Sequence, residues 1–255
     1  MFEVNINKNN SLEALQQLVE QNFSKNLNYL PDSFNQKQQE AYELFKSRIF
    51  LEKTIDEAIS FNRSLNFPKE NKNLHLTTTA EDLIDVFKLR SDVYTSINYQ
   101  KEFPDTIEGL NFDKYDSNAA ILFYKTEKTI TGTTRLIFDS RDKLPSEKNL
   151  SFNKFRYKYN KISELSRLTI LNKEGLSLDF KGLAIGVYYV FTLNDIDIIL
   201  SGIRKEHYKL YSKFGGFNIE KELNAYGNIK VPFIITSWDP SKVSPFFKKA
   251  FLNQK

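Results

Sequence analysis

Apolar residues at helical spacing dominate the first seventy residues of the chain, which contain no glycine. A stripe of leucines follows Ser11, a residue type that often caps a helix N-terminus: Leu12, Leu15 and Leu18. A longer pattern over about residues 35–64 has a broad apolar face, and the segment 66–73 is polar and contains a proline. We therefore predict a helical extension over residues 1–70, packed on the rest of the chain or on a second copy, followed by a linker.

From residue 74 the pattern changes to strands that alternate with helices. Short apolar runs predict strands over 74–79, 119–126, 129–140, 162–171, 198–203 and 230–238. Amphipathic runs predict helices over 80–96, 182–196 and 205–215, and residues 98–116 predict a long irregular loop. This order predicts a mixed α/β (α+β) domain over residues 74–240, followed by a tail over residues 241–255.

Composition excludes several kinds of site. The chain has 255 residues, a formal net charge of +4 and no cysteine, so disulfides, a thiolate nucleophile and Cys-ligated zinc are excluded. Only His75 and His207 supply imidazole, and they are far apart, so we expect no metal site. The near balance of charge argues against a nucleic-acid-binding protein. No run approaches the length of a membrane span, and no signal peptide is evident, so we expect a cytoplasmic protein.

A carboxylate stands inside the strand predicted over 162–171. The period of two in a strand puts Glu164 and Ser166 on one face, and Leu165 and Arg167 on the other. A carboxylate within an apolar strand is costly unless it is paired or functional. Glu164 is therefore either in a salt bridge with a basic neighbour or a general base whose pKa is raised by partial burial.

Isolated acidic and basic residues recur along the first half of this domain: Arg90, Asp113, Asp116 and Arg135. Two interpretations remain open for them. They could form a structural ion-pair network, or they could bind the ammonium and carboxylate groups of an amino-acid-like substrate. In the helix predicted over 205–215, Tyr211 is either a core residue or an acid that protonates a leaving thiolate.

Four short motifs, in order, carry a resemblance to a known family. The chain has R-x-x-V-(Y/F) beginning at Arg90, D-x-(Y/F)-D at Asp113, G-x-x-R-L at Gly132 and E-(L/I)-S-R at Glu164. From about residue 74 to 240 it resembles the GNAT-fold N-acyltransferases that use acyl carrier proteins. These include the FeeM-type N-acyl amino acid synthases and the acyl-homoserine-lactone synthases. The resemblance implies a GNAT acyltransferase-like fold and does not cover residues 1–70.

The C-terminal part distinguishes the two branches. The string from His207 to Phe217 resembles the H-x-x-x-Y-x-x-x-x-G-F string of the N-acyl amino acid branch. Tyr99 stands where homoserine-lactone synthases carry Trp, and Lys230-Val231 precedes the proline where the N-acyl amino acid branch has Val-Asn. The resemblance therefore implies an N-acyltransferase that moves a long-chain fatty acyl group to the amine of an amino acid.

The resemblance also implies roles for individual residues. The acyl thioester would lie where two strands separate near Glu164, which would deprotonate the attacking amine, and Tyr211 would protonate the leaving thiolate. Backbone N–H groups of Leu168, Thr169 or Ile170 would hold the oxyanion. The acceptor would be bound by a further set of residues: Arg90, Asp113, Asp116, Arg135, Ser166, Arg167 and His207.

The acyl donor is expected to be the acyl-phosphopantetheine of acyl carrier protein, with no bound cofactor. The usual pyrophosphate-binding loop for coenzyme A is degraded in residues 172–186, although Gly182 and Gly186 could still let backbone N–H groups face a phosphate at a helix start. An acidic carrier protein suits a basic surface made of Lys173, Lys181, Arg204, Lys205, Lys209 and Lys213. An acyl channel could involve residues whose other role is core packing: Phe123, Leu136, Phe138, Val187, Tyr188 and Phe191.

Two other functions stay open at this stage. The protein could be an acyl-homoserine-lactone synthase that uses S-adenosylmethionine. Alternatively, it could be a catalytically silent GNAT domain that binds an acyl carrier protein or lipid. In the second case the N-terminal helices would act as an interaction module, and a homodimer through those helices is also an open expectation.

Overall fold

The computed structural model describes residues 11–17, 36–68, 72–140, 142–171 and 178–252. Residues 12–17 are helical, as the leucine stripe predicts, and Leu15 is buried. The predictions for Leu18 and Lys173, and for part of the linker and of the loop before Gly182, lie outside the described residues.

A mixed sheet of seven strands forms the centre of the molecule, in the order β1-β2-β3-β4-β5-β7-β6. Within the described residues, β4 and β5 pair in parallel and the other neighbouring strands pair antiparallel. The strands are β1 (Leu74–Leu76), β2 (Ala119–Thr126), β3 (Thr129–Phe138), β4 (Ile162–Ile170), β5 (Ile198–Arg204), β6 (Phe217–Leu223) and β7 (Phe233–Trp238). This architecture confirms the mixed α/β fold class, and it places one parallel pair in the middle of the sheet.

Helices cover both faces of the sheet. The longer ones are α1 (Gln36–Ser64), α2 (Ala80–Ser96), α3 (Asn153–Lys158) and α4 (Leu178–Leu193), and short helical turns span residues 205–214. One apolar cluster joins α1 and α2 to one sheet face, and a second joins α4, Phe247 and Phe251 to the other. The domain is thus three-layered, with its core on both sides of the sheet.

Local signals explain where the elements begin and end. Helix α2 has the predicted bounds because Thr79 caps it, accepting a hydrogen bond from the Asp82 backbone N–H. The hairpin between β2 and β3 also turns at the predicted residues, with Glu127 at a positive φ. Strand β6 and helix α3 were not predicted, since β6 is an edge strand with little burial and α3 is only six residues long.

The two glycines of the degraded loop have a different role from the predicted one. Helix α4 begins at Leu178, so Gly182 and Gly186 lie in its interior and are buried. A Cβ at Gly182 would collide with the Tyr124 ring, and one at Gly186 would lie 3.0 Å from Leu74 Cδ1. The expectation that they face a phosphate at the helix start is therefore wrong: they let α4 approach the sheet closely.

The side-chain amide of Asn62 hydrogen-bonds helix α1 to the sheet. Asn62 is buried, donates from Nδ2 to the Ala119 carbonyl at 2.9 Å, and accepts at Oδ1 from the Ile121 N–H at 2.9 Å. Ala58 of the same helix belongs to the apolar cluster around α2. These contacts place the described part of the extension, residues 36–64, directly on the sheet.

Candidate active site

Strands β4 and β5 separate halfway along their length. They pair from Ile162 opposite Ile198 to Leu165 opposite Ser201, and beyond this point β4 follows β3 while β5 follows β7. A cavity of about 890 Å³ lies at the opening. Most of the predicted site residues line it: Asp113, Arg135, Glu164, Ser166, Arg167, Leu168, Thr169, Arg204, His207 and Tyr211. The opening of the sheet thus brings together residues from five separate segments of the chain.

A β-bulge shapes strand β4 at this opening. The pairing with β3 leaves Thr134 opposite both Arg167 and Leu168, and Arg167 has a φ of 56°. The bulge turns the Arg167 side chain toward Asp113, which also binds Arg135. The predicted alternation, with Arg167 on the face opposite Ser166, is therefore wrong, because one extra residue in the strand shifts the period of two.

Three arginines and two aspartates form one network that reaches from the cavity wall into the protein interior. Arg90 Nη1 lies 2.8 Å from Asp116 Oδ1, and Arg135 Nη1 lies 2.9 Å from Asp116 Oδ2. Arg135 also binds Asp113 through two parallel bonds of 2.6 and 2.9 Å. Arg90 and Asp116 are fully buried and do not line the cavity, so they support the network from behind.

The network fixes the charge state of its members. Burial would raise the pKa of Asp113, but Arg135 and Arg167 hold the pKa of this carboxyl well below its usual range. Burial would lower the pKa of Arg135, but Asp113 and Asp116 raise it. Both residues therefore stay ionised at neutral pH. Three guanidinium and two carboxylate charges leave the cluster with a formal charge of +1.

Arg167 belongs to this network and lines the cavity. Its Nη2 donates to Asp113 Oδ2 at 2.8 Å, and its guanidinium lies 4.4 Å from the centre of the Phe103 ring and 5.4 Å from that of Tyr94. Among the residues that the structure describes, Arg167 Nη1 is buried without a hydrogen-bond partner. A buried, charged donor without a partner can bind an anionic group.

Glu164 lies in the same cavity wall and is 2 % exposed. Its Oε2 accepts a hydrogen bond from the Ser146 backbone N–H at 3.0 Å, and its Oε1 accepts one from the Ser146 hydroxyl at 2.7 Å. Burial raises the pKa of Glu164 to about 7, against the lowering effect of these hydrogen bonds and of Arg135. A carboxyl group of this kind can exchange a proton near neutral pH. No ion pair joins Glu164 to a basic residue in the described part of the chain.

Tyr211 and His207 lie on the helical turns that follow β5. Burial raises the pKa of Tyr211 to about 12, so its hydroxyl stays protonated and can donate a proton or a hydrogen bond. The Tyr211 ring packs against Phe180, Phe214 and Phe217. The His207 side chain is half exposed, with Nε2 3.6 Å from Glu206 Oε1.

The predicted basic surface lies mainly on the segment 204–214, beside the cavity. Lys205, Lys209 and Lys213 are exposed there, and Lys205 Nζ pairs with Glu222 at 2.6 Å. Arg204 lines the cavity and pairs with Glu206 at 2.8 Å. Lys181 lies away from this segment on α4 and is half-buried.

The apolar wall of the cavity differs from the predicted channel. Phe123, Leu136, Val187 and Phe191 are buried in the two core clusters, and Phe138 and Tyr188 pack against one of them; none of these six lines the cavity. Core packing is therefore their role, as the alternative interpretation has it. The apolar lining comes instead from another set: Val93, Tyr94, Ile97, Tyr99, Phe103, Phe180, Ile203, Leu210, Phe217, Tyr226 and Phe233.

Sequence reasoning also missed Ser146, the hydrogen-bond partner of Glu164. It follows a proline in a polar stretch, which indicates only a turn. Among the predicted oxyanion residues, Leu168 and Thr169 line the cavity and Ile170 does not. In the described part of the chain, no group of three His, Asp or Glu side chains could hold a metal ion, and no helix is long and apolar enough to cross a membrane.

Comparisons with solved structures show the fold. FeeM, an N-acyl amino acid synthase from uncultured soil microbes, superposes with a TM-score of 0.51 at 18% identity, covering 66% of this chain and 90% of FeeM. The AHL synthase LasI superposes with a TM-score of 0.51 at 16% identity, covering 71% of this chain and 95% of LasI. The CoA-dependent acyl-homoserine lactone synthase BjaI superposes with a TM-score of 0.54 at 14% identity, covering 70% of this chain and 87% of BjaI.

At the level of sequence, no curated protein matches the chain significantly. The profile of the family described as N-acyl amino acid synthase FeeM matches residues 85–239, which is more than half of the chain. This range contains the separated strands, the arginine–aspartate network and the buried glutamate. The chain therefore belongs to the FeeM N-acyl amino acid synthase family and is an acyltransferase with a GNAT-like fold.

Proposed function

We propose that the protein transfers a fatty acyl group from the thioester of acyl carrier protein to the amine of an amino acid, with Glu164 as general base. The observation that carries this proposal is one cavity wall that contains two complementary groups. Glu164 has a pKa near 7, and Arg167 has an unpartnered donor. An amino acid offers a carboxylate for the second group and an ammonium whose proton the first can take.

The acceptor would bind through its carboxylate to Arg167. The cluster of Arg90, Arg135, Arg167, Asp113 and Asp116 has an excess positive charge. Arg167 lines the cavity, and its Nη1 has no hydrogen-bond partner among the described residues. Desolvated hydrogen bonds between guanidinium and carboxylate are strong and directional. Ser166 contributes indirectly, since its hydroxyl accepts a bond of 3.0 Å from Arg135 Nε. The role of His207 would be a contact nearer the carrier-protein side.

The reaction would be a direct attack on the thioester. Glu164 removes a proton from the ammonium, the amine nitrogen forms a bond to the carbonyl carbon, and the carbon–sulfur bond breaks. Tyr211 gives a proton to the departing thiolate and is reprotonated by the second proton that the acylated nitrogen loses, which leaves a neutral amide. Neither step needs a cofactor, because the donor thioester already carries the activated acyl group.

The bulge in β4 supports an oxyanion site nearby. Leu171 N–H bonds to the Thr131 carbonyl at 2.9 Å, and hydrogen-bonded pairs alternate along an antiparallel ladder. The Ile170 N–H therefore points away from β3, toward the side on which β5 has left. There it can bond the phosphopantetheine arm as a neighbouring strand would. Leu168, in the bulge, is the better candidate for the thioester oxygen.

The carrier protein would dock on the basic segment that follows β5. Lys205, Lys209 and Lys213 are exposed beside the cavity, at the end of the opening between β4 and β5. An acidic partner bound there would lead its prosthetic arm between the two strands.

The decisive experiment is product analysis by mass spectrometry. Purified protein is given mixed-chain acyl carrier protein with the twenty amino acids, acyl carrier protein with S-adenosylmethionine, or acyl-coenzyme A with the amino acids. We expect an N-acyl amino acid from the first reaction alone. A lactone from the second would favour a homoserine-lactone synthase. A product from the third alone would overturn the proposed donor, and no product in any reaction would favour a silent binding domain.

The role of Glu164 is tested with two matched variants. Glu164→Gln should reduce turnover by at least about 100-fold, because general bases contribute rate factors of this size. Asp179→Asn neutralises a buried carboxylate on the opposite sheet face, outside the cavity, and should keep most of the activity. Equal activity of Glu164→Gln and the unmodified protein would refute the base assignment.

A further inference from the structure

Within the described residues, Ser146 donates both hydrogen bonds that the Glu164 carboxylate accepts. The backbone N–H and the hydroxyl of Ser146 bind its two oxygens, at 3.0 and 2.7 Å. Ser146 is 1 % exposed and lines the cavity together with Glu164. A partner that binds both carboxylate oxygens restricts the side-chain rotamer as well as the charge.

The turn that carries Ser146 is itself held in place. The Leu144 N–H donates to Glu147 Oε1 at 2.8 Å, and Glu147 is bound by Arg156. Arg156 also makes two bonds of 2.7 Å to Asp139, which follows β3. These bonds join α3, the turn 145–148 and the end of β3, and they hold Ser146 in position beside Glu164.

Tyr226 lies behind Ser146. The two side chains interact, and Tyr226 is buried in the cavity wall with a pKa raised by burial to about 12. A serine hydroxyl has one proton to donate. When Glu164 is ionised, that proton goes to Oε1, so the Ser146 oxygen is left as an acceptor for the Tyr226 hydroxyl. The order of the three groups is that of a donor chain that ends on the carboxylate.

We propose that Ser146, supported by Tyr226, is a positioning residue that holds the Glu164 carboxylate toward the cavity and favours its ionised form. Bonds to the ionised acceptor are stronger than bonds to the protonated acid, so the chain opposes the effect of burial. The proposal deepens the proposed function and rests on it, since it concerns the residue assigned as the base.

Other charged and titratable groups also face Glu164. Arg135 on β3 favours its ionised form and Glu147 in the 145–148 turn opposes it. Tyr115 and Tyr226 interact with it from the loop before β2 and from the β6–β7 connection. Replacing the Ser146 hydroxyl with hydrogen keeps all of these groups in the protein, so that replacement isolates the contribution of the hydroxyl.

The test measures the pKa of Glu164 directly, by NMR titration of the ¹³C-labelled carboxyl group, together with the pH profile of kcat/KM. In Ser146→Ala we expect the pKa and the acidic limb of the profile to rise by about one unit, the size expected for one lost bond to a charged group. Activity at pH 6, expressed as a fraction of each protein's own plateau, should then be about tenfold lower in the variant than in the unmodified protein. Tyr226→Phe should shift both quantities in the same direction by about half a unit, and it supplies the test if Ser146→Ala does not fold.

Ser163→Ala is the matched control. Ser163 is a buried serine next to Glu164 on β4, and within the described ranges its hydroxyl has no hydrogen-bond partner. It should leave the titration unchanged. An unchanged Glu164 pKa in both Ser146→Ala and Tyr226→Phe would overturn the proposal. Because the NMR titration needs no turnover, full activity of Glu164→Gln would refute the base assignment separately.

Discussion

The guanidinium of Arg167 lies 4.4 Å from the centre of the Phe103 ring, while its Nη2 lies 2.8 Å from Asp113 Oδ2. The ring and the carboxylate together hold a side chain whose backbone has a positive φ, a conformation that costs a non-glycine residue about 1 kcal/mol or more. This arrangement leaves Nη1 without a hydrogen-bond partner among the described residues, in a side chain that lines the cavity. The strained bulge therefore presents a preorganised cation to the acceptor.

Arg167→Lys keeps the charge and removes the planar fork. We expect the KM for the amino-acid acceptor to rise about 10-fold or more, since a bond between charged groups contributes about 1.5–3 kcal/mol. Steady-state kinetics with varied acceptor at saturating acyl donor measures this. Arg63→Lys on α1, whose guanidinium binds the Thr78 carbonyl outside the cavity, is the control and should leave KM unchanged. An unchanged KM in Arg167→Lys would remove Arg167 from acceptor binding.

Asp113 should make stability depend on pH in the acid range. Its pKa is lowered in the folded protein, so its contribution is present above the unfolded pKa of about 4 and is lost as the pH falls below that value. Asp113→Asn should reduce the free energy of unfolding at pH 7 by about 3–5 kcal/mol, because it leaves Arg167 without a carboxylate partner and Arg135 with Asp116 alone. The free energy of unfolding of this variant should also change less between pH 5 and pH 2 than that of the unmodified protein.

Denaturant unfolding at several pH values tests this expectation. The control is Asp85→Asn on the exposed side of α2, where the side chain is 61 % exposed and its Lys88 partner is 4.0 Å away. That variant should change stability by less than about 0.5 kcal/mol. A similar small effect in Asp113→Asn would mean that the network is not needed for the fold.

Glu164 should act in the opposite direction. Its pKa rises from about 4.5 to about 7 on folding, so the folded state keeps a proton that the unfolded state has lost. Stability should therefore decrease as the pH rises from about 4.5 to 7. Glu164→Gln should remove this loss and gain about 3 kcal/mol at pH 8 relative to the unmodified protein, with little difference at pH 4. Thermal or denaturant unfolding at both pH values measures the difference, and an equal effect at both would contradict it.

Much of the fold was accessible from the sequence, because strong local signals specify it. The Thr79 cap and the apolar periodicity determine α2, and the hairpin turn sets the register of β2 against β3. The arrangement around Glu164 was less accessible. The bulge is at Arg167, and no glycine in the sequence indicates it. Ser146 is eighteen residues from Glu164 in sequence and lies on a turn whose position depends on tertiary contacts.

The glycines of α4 give a test of close packing. Gly182→Ala places a Cβ against the Tyr124 ring, whereas Gly186→Ala places one against the mobile ends of leucine side chains. Helix propensity alone would make each change favourable by about 1 kcal/mol. We expect Gly182→Ala to be destabilising by about 1–3 kcal/mol through overpacking, and Gly186→Ala to cost less. Equal stability of the two variants in denaturant unfolding would contradict the close approach at Tyr124.

The basic segment after β5 is tested by charge reversal. Lys209→Glu with Lys213→Glu should raise the KM for acyl carrier protein and weaken its dependence on salt, because the exposed charges would no longer attract an acidic partner. The KM for the amino acid should be unchanged. Lys53→Glu on α1, 68 % exposed, is the control. An unchanged KM for the carrier protein would move the docking surface elsewhere.

The side-chain amide of Asn62 makes the hydrogen bonds that a peptide group of a neighbouring strand would make to β2. Strand β1 ends at Leu76. The residue after it, Thr77, still donates a backbone hydrogen bond to the Ile121 carbonyl of β2. Asn62 then satisfies the neighbouring Ala119 carbonyl and Ile121 N–H. Helix α1 consequently seals a sheet margin that would otherwise offer unpaired groups to another chain. Release of this helix and exposure of that margin should be a single opening event, so the amide of Ile121 will exchange its hydrogen only as fast as the helix detaches.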